Sequence, residues 1–182
     1  MHPRLLAPFD AFERRKSNFL SELAGLDEAQ LHFRPAPDAW SLLDVADHLS
    51  RVEAAVAETL ADGIPPDRAQ RKLKHVVKFR MVLLALSLPV RVPVPGNAPG
   101  VKPGDGLTLD GVREAWAASR AALAEQLASY GDEDMQRMVV RHPVAGPVNP
   151  RHTIAFLNAH FDHHRYQVAR IRKHSDFPAA AA

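Results

Sequence analysis

The sequence predicts an all-α protein, a four-helix bundle with short extra helices and a long Pro/Gly-rich loop. Three observations carry this. Apolar residues recur at helical spacing through most of the chain. Cap and stop residues punctuate those stretches at the right places. Nothing alternates convincingly at period two, so a parallel sheet has no candidate strands. At 182 residues the chain suits one well-buried domain and is short for two. Residues 1–176 are therefore expected to form a single helical domain, with "FPAAAA", residues 177–182, as a frayed tail.

The first helix presents Leu5, Phe9, Phe12, Phe19, Leu20, Leu23 and Leu26 on one face. Asp27 and Gln30 have the spacing of a capping box for a short turn. Pro35 and Pro37 then stop regular structure. A second helix begins at Ser41, with Asp44 at the matching cap position. Leu42, Val45, Leu49, Val52, Val56 and Leu60 form its stripe, and Gly63 ends it. The segment "DRAQRKLKHVVKFRMVLLALSL" is basic first and apolar later. "PVRVPVPGNAPGVKPGDG", residues 89–106, is too rich in proline and glycine for a helix. It is expected to run over the surface or across one end of a site. "LTLDGVREAWAASRAALAEQLASYG" is a strong helix with Gly131 as its stop. "HPVAGPVNP" makes a turn. Asn149 and Pro150 then supply a cap and a first helical residue for the last helix, about 151–174.

Composition narrows the function classes. Hydrophobic residues make up 46% of the chain, which argues against disorder. The formal net charge of +2 is far from that of a dedicated nucleic-acid binder. The absence of cysteine excludes disulfides, thiolate nucleophiles and Cys-based zinc sites. It fits a reducing cytoplasm. The N-terminal stretch has no cationic head followed by an apolar core, so no secretory signal is expected. The longest apolar run, "MVLLALSLPV", is about half of what a membrane span requires. Arg68, Arg71, Lys72, Lys74, Lys78 and Arg80 could attract an anionic substrate or nucleic acid. Few aromatics interleave to stack bases, so a solvated helix face is the expected role. The apolar continuation reads as core or as part of a dimer interface.

The chemistry concentrates in "NAHFDHHRYQ", residues 158–167, with His160, His163 and His164. At about 100° per residue, Ile154, Leu157, Phe161, Val168 and Ile171 share an arc that includes His164. His160 lies at its edge, roughly 40° from His164, and His163 falls roughly 100° off, near the rim. Asp162 points away. Histidines at i and i+4 stack one turn apart, close enough for both imidazoles to reach one ion. The spacing is that of HExxH without its Glu, so this is not a zincin motif. An isolated HxxxH pair is often accidental. Burial favours a ligand role, because two imidazoles side by side in an apolar stripe would repel if protonated, and a shared cation removes that conflict.

A third ligand has to come from another helix. His32, His48, His75, His142 and His152 are the candidates. His75 sits among cations, and His32 and His142 lie in turns. His48 lies at the margin of the second helix's stripe. Periodicity leaves the choice open.

"RPAPDAWSLLDVADHLSRVE" and "HPVAGPVNPRHTIAFLNAHFDHHRYQVARI", residues 34–53 and 142–171, together resemble the DinB-like superfamily, which includes YfiT-like metalloproteins. The resemblance implies an up-down-down-up four-helix bundle. It implies a metal held by one histidine of the second helix and the HxxxH pair of the last, and neutral imidazoles suit a divalent transition metal (Zn, Ni or Fe) without choosing among them. Carried over, these are His48, His160 and His164. Tyr166 departs from the glycine that several members have after "HHR", without removing a ligand.

Members of the resembled family include S-transferases and isomerases that use low-molecular-weight thiols, and YfiT-like hydrolases. The leading expectation is therefore a metal-dependent thiol (S-)transferase-type enzyme acting on a small-molecule substrate. With no cysteine in the chain, the thiol has to be a cosubstrate. The alternatives are a non-catalytic, metal-stabilised bundle that binds a ligand or partner, and a YfiT-like metal-dependent hydrolase. A homodimer is expected from the resemblance; nucleic acid and membrane are not expected as partners. Asp44, one turn before His48, is a candidate to orient a ligand, with its cap role competing. Glu53 reads as a structural ion-pair residue.

Overall fold

The computed structural model describes residues 1–65, 69–90 and 99–180. Arg68, residues 91–98 of the Pro/Gly-rich stretch and Ala181–Ala182 lie outside the described residues. The described residues include six α-helices: α1 (Pro3–Ala24), α2 (Glu28–His32), α3 (Leu42–Asp62), α4 (Leu73–Ser87), α5 (Leu109–Ala128) and α6 (Pro150–Arg172). The four long ones form the bundle. α1 and α6 run parallel, as do α3 and α5, and the two pairs oppose each other. This is the up-down-down-up arrangement. α4 is a fifth, shorter helix packed on the outside of α6.

Local chemistry starts each helix where the caps predict. Ser41 and Asp44 form a reciprocal capping box on α3, and Asp27 and Gln30 do so on α2. Asn149 accepts from the His152 backbone N–H at 3.0 Å, with Pro150 in the first turn of α6. Gly63 ends α3 at φ 71°, a left-handed value that glycine adopts without a Cβ penalty. α5 stops at Ala128, three residues before the expected stop at Gly131.

The predicted stripes are the core. Leu42, Val45, Leu49, Val52, Val56 and Leu60 of α3 are all buried, as are Ile154, Leu157, Phe161, Val168 and Ile171 of α6. Phe12, Phe19, Trp116 and Phe161 make an aromatic cluster with centroids 6.0–6.4 Å apart, mostly edge to face. Each such pair contributes about 0.5–1.5 kcal/mol beyond area burial. One charged network crosses this core. Glu53 accepts from Arg120 Nε at 2.7 Å and from Trp116 Nε1 at 2.6 Å, and Arg120 also donates to Glu13 at 2.6 Å. Glu53 thus has the ion-pair role its sequence context suggests.

Two expectations need amendment. "HPVAGPVNP" is more than a turn: Val140–His142 (β1) and Gly146–Val148 (β2) pair antiparallel, with Val140 opposite Val148. Three-residue strands are too short to leave a period-two signature. The segment expected to fray at 177 begins docked. Phe177 packs edge-on to Phe33 at 5.5 Å, and the Pro178 carbonyl accepts from Gln30 Nε2 at 3.0 Å.

Candidate metal centre

α3 and α6 face each other with His48 on one and His160 and His164 on the other. His48 Nε2 lies 3.3 Å from His160 Nε2, and His164 Nε2 lies 3.1 Å from the same atom. The ligand atoms of all three residues fall within 4.8 Å of one another. The i, i+4 spacing brings the pair on α6 together, as the wheel predicts.

The outer edges of two rings are held by acceptors. The Val101 carbonyl is 2.6 Å from His48 Nδ1, and Gln167 Oε1 is 2.9 Å from His164 Nδ1. A carbonyl oxygen only accepts, so His48 Nδ1 carries the proton. Gln167, with its oxygen toward the ring, requires the same of His164. Both rings then present bare Nε2 lone pairs to His160. A hydrogen on His160 Nε2 can serve only one of them well at a time, whereas a cation among the three rings would take all three Nε2 lone pairs at once. Burial reinforces this. His160 is held well below the ordinary histidine range by burial and by the neighbouring His164 and His48. Burial likewise depresses His164 to about 3 and lowers His48. Neutral imidazoles with outward N–H groups anchored on carbonyls are what a bound transition metal requires. The three residues fit such an ion and could hold it.

Aromatic rings wall the site. Trp40 stacks on His164 at 6.0 Å and 15°, and packs against His48 at 4.8 Å. Phe156 stacks on His160 at 5.4 Å. His142 meets the Phe156 ring edge-on at 4.5 Å. His142 Nδ1 accepts from the backbone N–H groups of Val144 and Ala145, each at 3.1 Å. The hairpin thereby fixes its tautomer. A cavity of about 290 Å³ opens beside Trp40, lined by Arg34, Asp44, Lys102, Pro103, Gly104 and Asp105.

The other sequence candidates sort clearly. His163 is buried rather than at a rim, against the Leu86 and Leu88 backbone at the end of α4, and its Nδ1 has no hydrogen-bond partner among the described residues. The wheel treats α6 alone and takes no account of a helix lying over it. His75 packs its ring on Gly146, where a Cβ would approach to 3.1 Å. His152 accepts from Arg71 Nη1 at 3.0 Å. His32 pairs with Glu28 at 3.2 Å. Asp44 caps α3 and pairs with Arg34 at 2.8 Å. Asp162 points away as expected, toward Arg15 at 2.9 Å, and Tyr166 is exposed.

Sequence reasoning gave no role to Val101, Gln167 or Trp40. Gln167, three residues after His164, had a readable helical spacing. Val101 had none, because the stretch that carries it has no period. Its described part does cross one end of the site. Gly104 donates to Asp47 Oδ2 at 2.9 Å, so close that a Cβ there would come within 2.7 Å of the Arg51 guanidinium.

Fold and site together define a helical-bundle protein with a buried three-histidine cluster able to hold a metal ion. Residues 11–168 match the DinB superfamily, and the chain belongs to it. It is 25% identical over 168 residues to the uncharacterized protein YuaE of Bacillus subtilis (strain 168), covering 89% of this chain and 95% of YuaE. Two solved structures share the fold. One is TT2238, described as a four-helix bundle protein, with TM-score 0.50 and 22% identity over 90% of this chain and 93% of that one. The other is a conserved protein from Enterococcus faecalis, with TM-score 0.59 and 20% identity over 94% and 96%.

Proposed function

We propose that the protein binds a divalent transition metal through His48, His160 and His164 and uses it to transfer a low-molecular-weight thiol to a small electrophile. The observation that carries this is the convergence of three Nε2 atoms on one point, with two of the rings anchored behind by Val101 and Gln167.

Three neutral ligands would leave a divalent ion its full charge, and an ion so held would lower the pKa of a bound thiol. The chain's own residues do the rest. The histidines fix the point of binding. Trp40 and Phe156 wall the site with their rings, and the cavity beside Trp40 leaves a way in. With an ion held by His48, His160 and His164, the thiol proton would pass to solvent. A sulfur–carbon bond forms as the bond from that carbon to its leaving group breaks, and the leaving group departs with the electron pair.

The carboxylates near the ligands favour this chemistry over hydrolysis. Asp44 is tied to the Ser41 backbone N–H and Arg34, Asp47 to Arg51 and Gly104, and Glu53 to Arg120 and Trp116. Hydrolysis by activated water usually calls on a general base, and these groups are committed elsewhere. A thiol needs none once it binds as thiolate. The same commitment also suits a metal-stabilised bundle that binds without turnover.

A thiol panel with a chromogenic electrophile separates these readings. Turnover that needs both an added thiol and the metal, and that disappears in His164→Ala, supports the transferase. No turnover with any thiol while metal stays bound makes the protein a binding bundle.

A further inference from the structure

α4 is inside out on one face. Phe79 and Leu86 point into the protein and are buried. On the opposite side Leu73, Val77, Met81, Leu84 and Leu88 are 79%, 50%, 64%, 63% and 45% exposed. At about 100° per residue the four within the helix, Leu73, Val77, Met81 and Leu84, fall within roughly 80° of arc, directly opposite Phe79 and Leu86, and Leu88 follows just past the helix end. Most of the exposed large apolar side chains of the described residues lie on this one helix and its end. Beside the exposed cations Lys72, Lys74, Lys78 and Arg80 the helix thus carries an apolar ridge, of the kind that marks a contact surface.

Cations border the ridge on both sides. On the same wheel Lys74 and Lys78 flank one edge and Arg80 the other, and all three are exposed. From residue 69 to residue 90 the sequence has Arg71, Lys72, Lys74, Lys78 and Arg80 and no acid. An apolar row with basic side chains on both margins suits a flat, anionic, apolar-cored partner. The row sinks into the acyl boundary while the flanking stems snorkel back to the headgroups.

We propose that α4 docks the protein peripherally on an anionic lipid surface, lying in the plane of the interface. No helix of the described residues is long and apolar enough to cross a membrane, and none needs to. The expectation of no membrane partner rested on the lack of a span and does not bear on a helix that lies on the surface. Charge argues against the other occupants. Two copies paired through this ridge would join two cationic helices with no acid on either. A protein that binds a helix does so in a groove, and such a partner would have to bring acids for both margins.

The test is co-sedimentation of the whole protein with vesicles of equal parts phosphatidylglycerol and phosphatidylcholine, against vesicles of phosphatidylcholine alone. The proposal predicts salt-sensitive binding to the first and little to the second. Lys74→Gln with Lys78→Gln weakens binding about fivefold per charge removed. Met81→Gln with Leu84→Gln weakens it at least as much, and unchanged thermal melting and metal content show that both variants fold. No binding to the anionic vesicles overturns the proposal, as does equal binding by the Met81/Leu84 variant. So does a dimer in sedimentation velocity that the Met81/Leu84 variant converts to monomer, because the ridge then belongs to a second copy.

Discussion

Gln167 stands one helical turn beyond His164, with its Oε1 2.9 Å from His164 Nδ1. That contact turns the Nε2 of His164 toward His160. Such outer contacts typically contribute 10–100-fold to metal affinity. Gln167→Ala is therefore expected to keep the fold and weaken metal binding by about that factor. Competition with a calibrated chelator measures it. Affinity equal to that of the wild type would remove Gln167 from the account.

The buried network around Glu53 gives a stability prediction. Glu53 and Arg120 are both nearly inaccessible, and Trp116 Nε1 donates to the same carboxylate. Removing one partner of a buried pair costs about 3–5 kcal/mol because the other charge stays uncompensated. Glu53→Ala is expected to lose about that much in urea unfolding, with Glu13 still bonded to Arg120 and limiting the loss. A loss below about 1 kcal/mol would mean the pair behaves as an exposed one.

The histidines predict a pH dependence of the metal-free protein. Burial pushes His142 down to about 4, and its Nδ1 already accepts two backbone bonds. Unfolded, it titrates near its ordinary value of about 6.5. Between those values the unfolded chain holds more protons than the folded one, so stability rises with pH. The contribution is complete above about 6.5 and is lost as pH falls to about 4, by at most roughly 3 kcal/mol. His164, depressed to about 3, extends the loss to lower pH. Urea midpoints across this range test the sign, and His142→Asn, which keeps an acceptor for the hairpin, flattens the slope. A midpoint that does not move between neutral pH and about 5 contradicts it.

Much of the bundle was legible in the sequence, and the reasons are local. Ser41, Asp27 and Asn149 announce helix starts through bonds within one turn. The stripes of α3 and α6 repeat often enough to fix a face. What was not legible depends on contacts between distant segments. His48 sits at the margin of its stripe, and only the family resemblance singled it out over the other histidines. His163 looked peripheral because nothing in its own helix reveals that α4 covers it. Val101 lies in a stretch without periodicity, so its carbonyl could not be assigned to His48. The β1–β2 hairpin reads as a turn in the sequence because its strands are three residues long.

His163 separates ligand from neighbour. It is buried on the same helix as the pair, yet it lies outside the converging cluster. His163→Ala is expected to keep its metal while losing about 1–3 kcal/mol of stability from the space left under α4. Metal loss in this variant, with the fold intact, would redraw the site.

Elemental analysis of the purified wild type beside His48→Ala, His160→Ala and His164→Ala tests the metal centre most directly. The account predicts a stoichiometric divalent transition metal in the wild type and its loss from each of the three variants. Equal metal content in all four proteins, or none in the wild type after supplementation with zinc, nickel or iron, would contradict it.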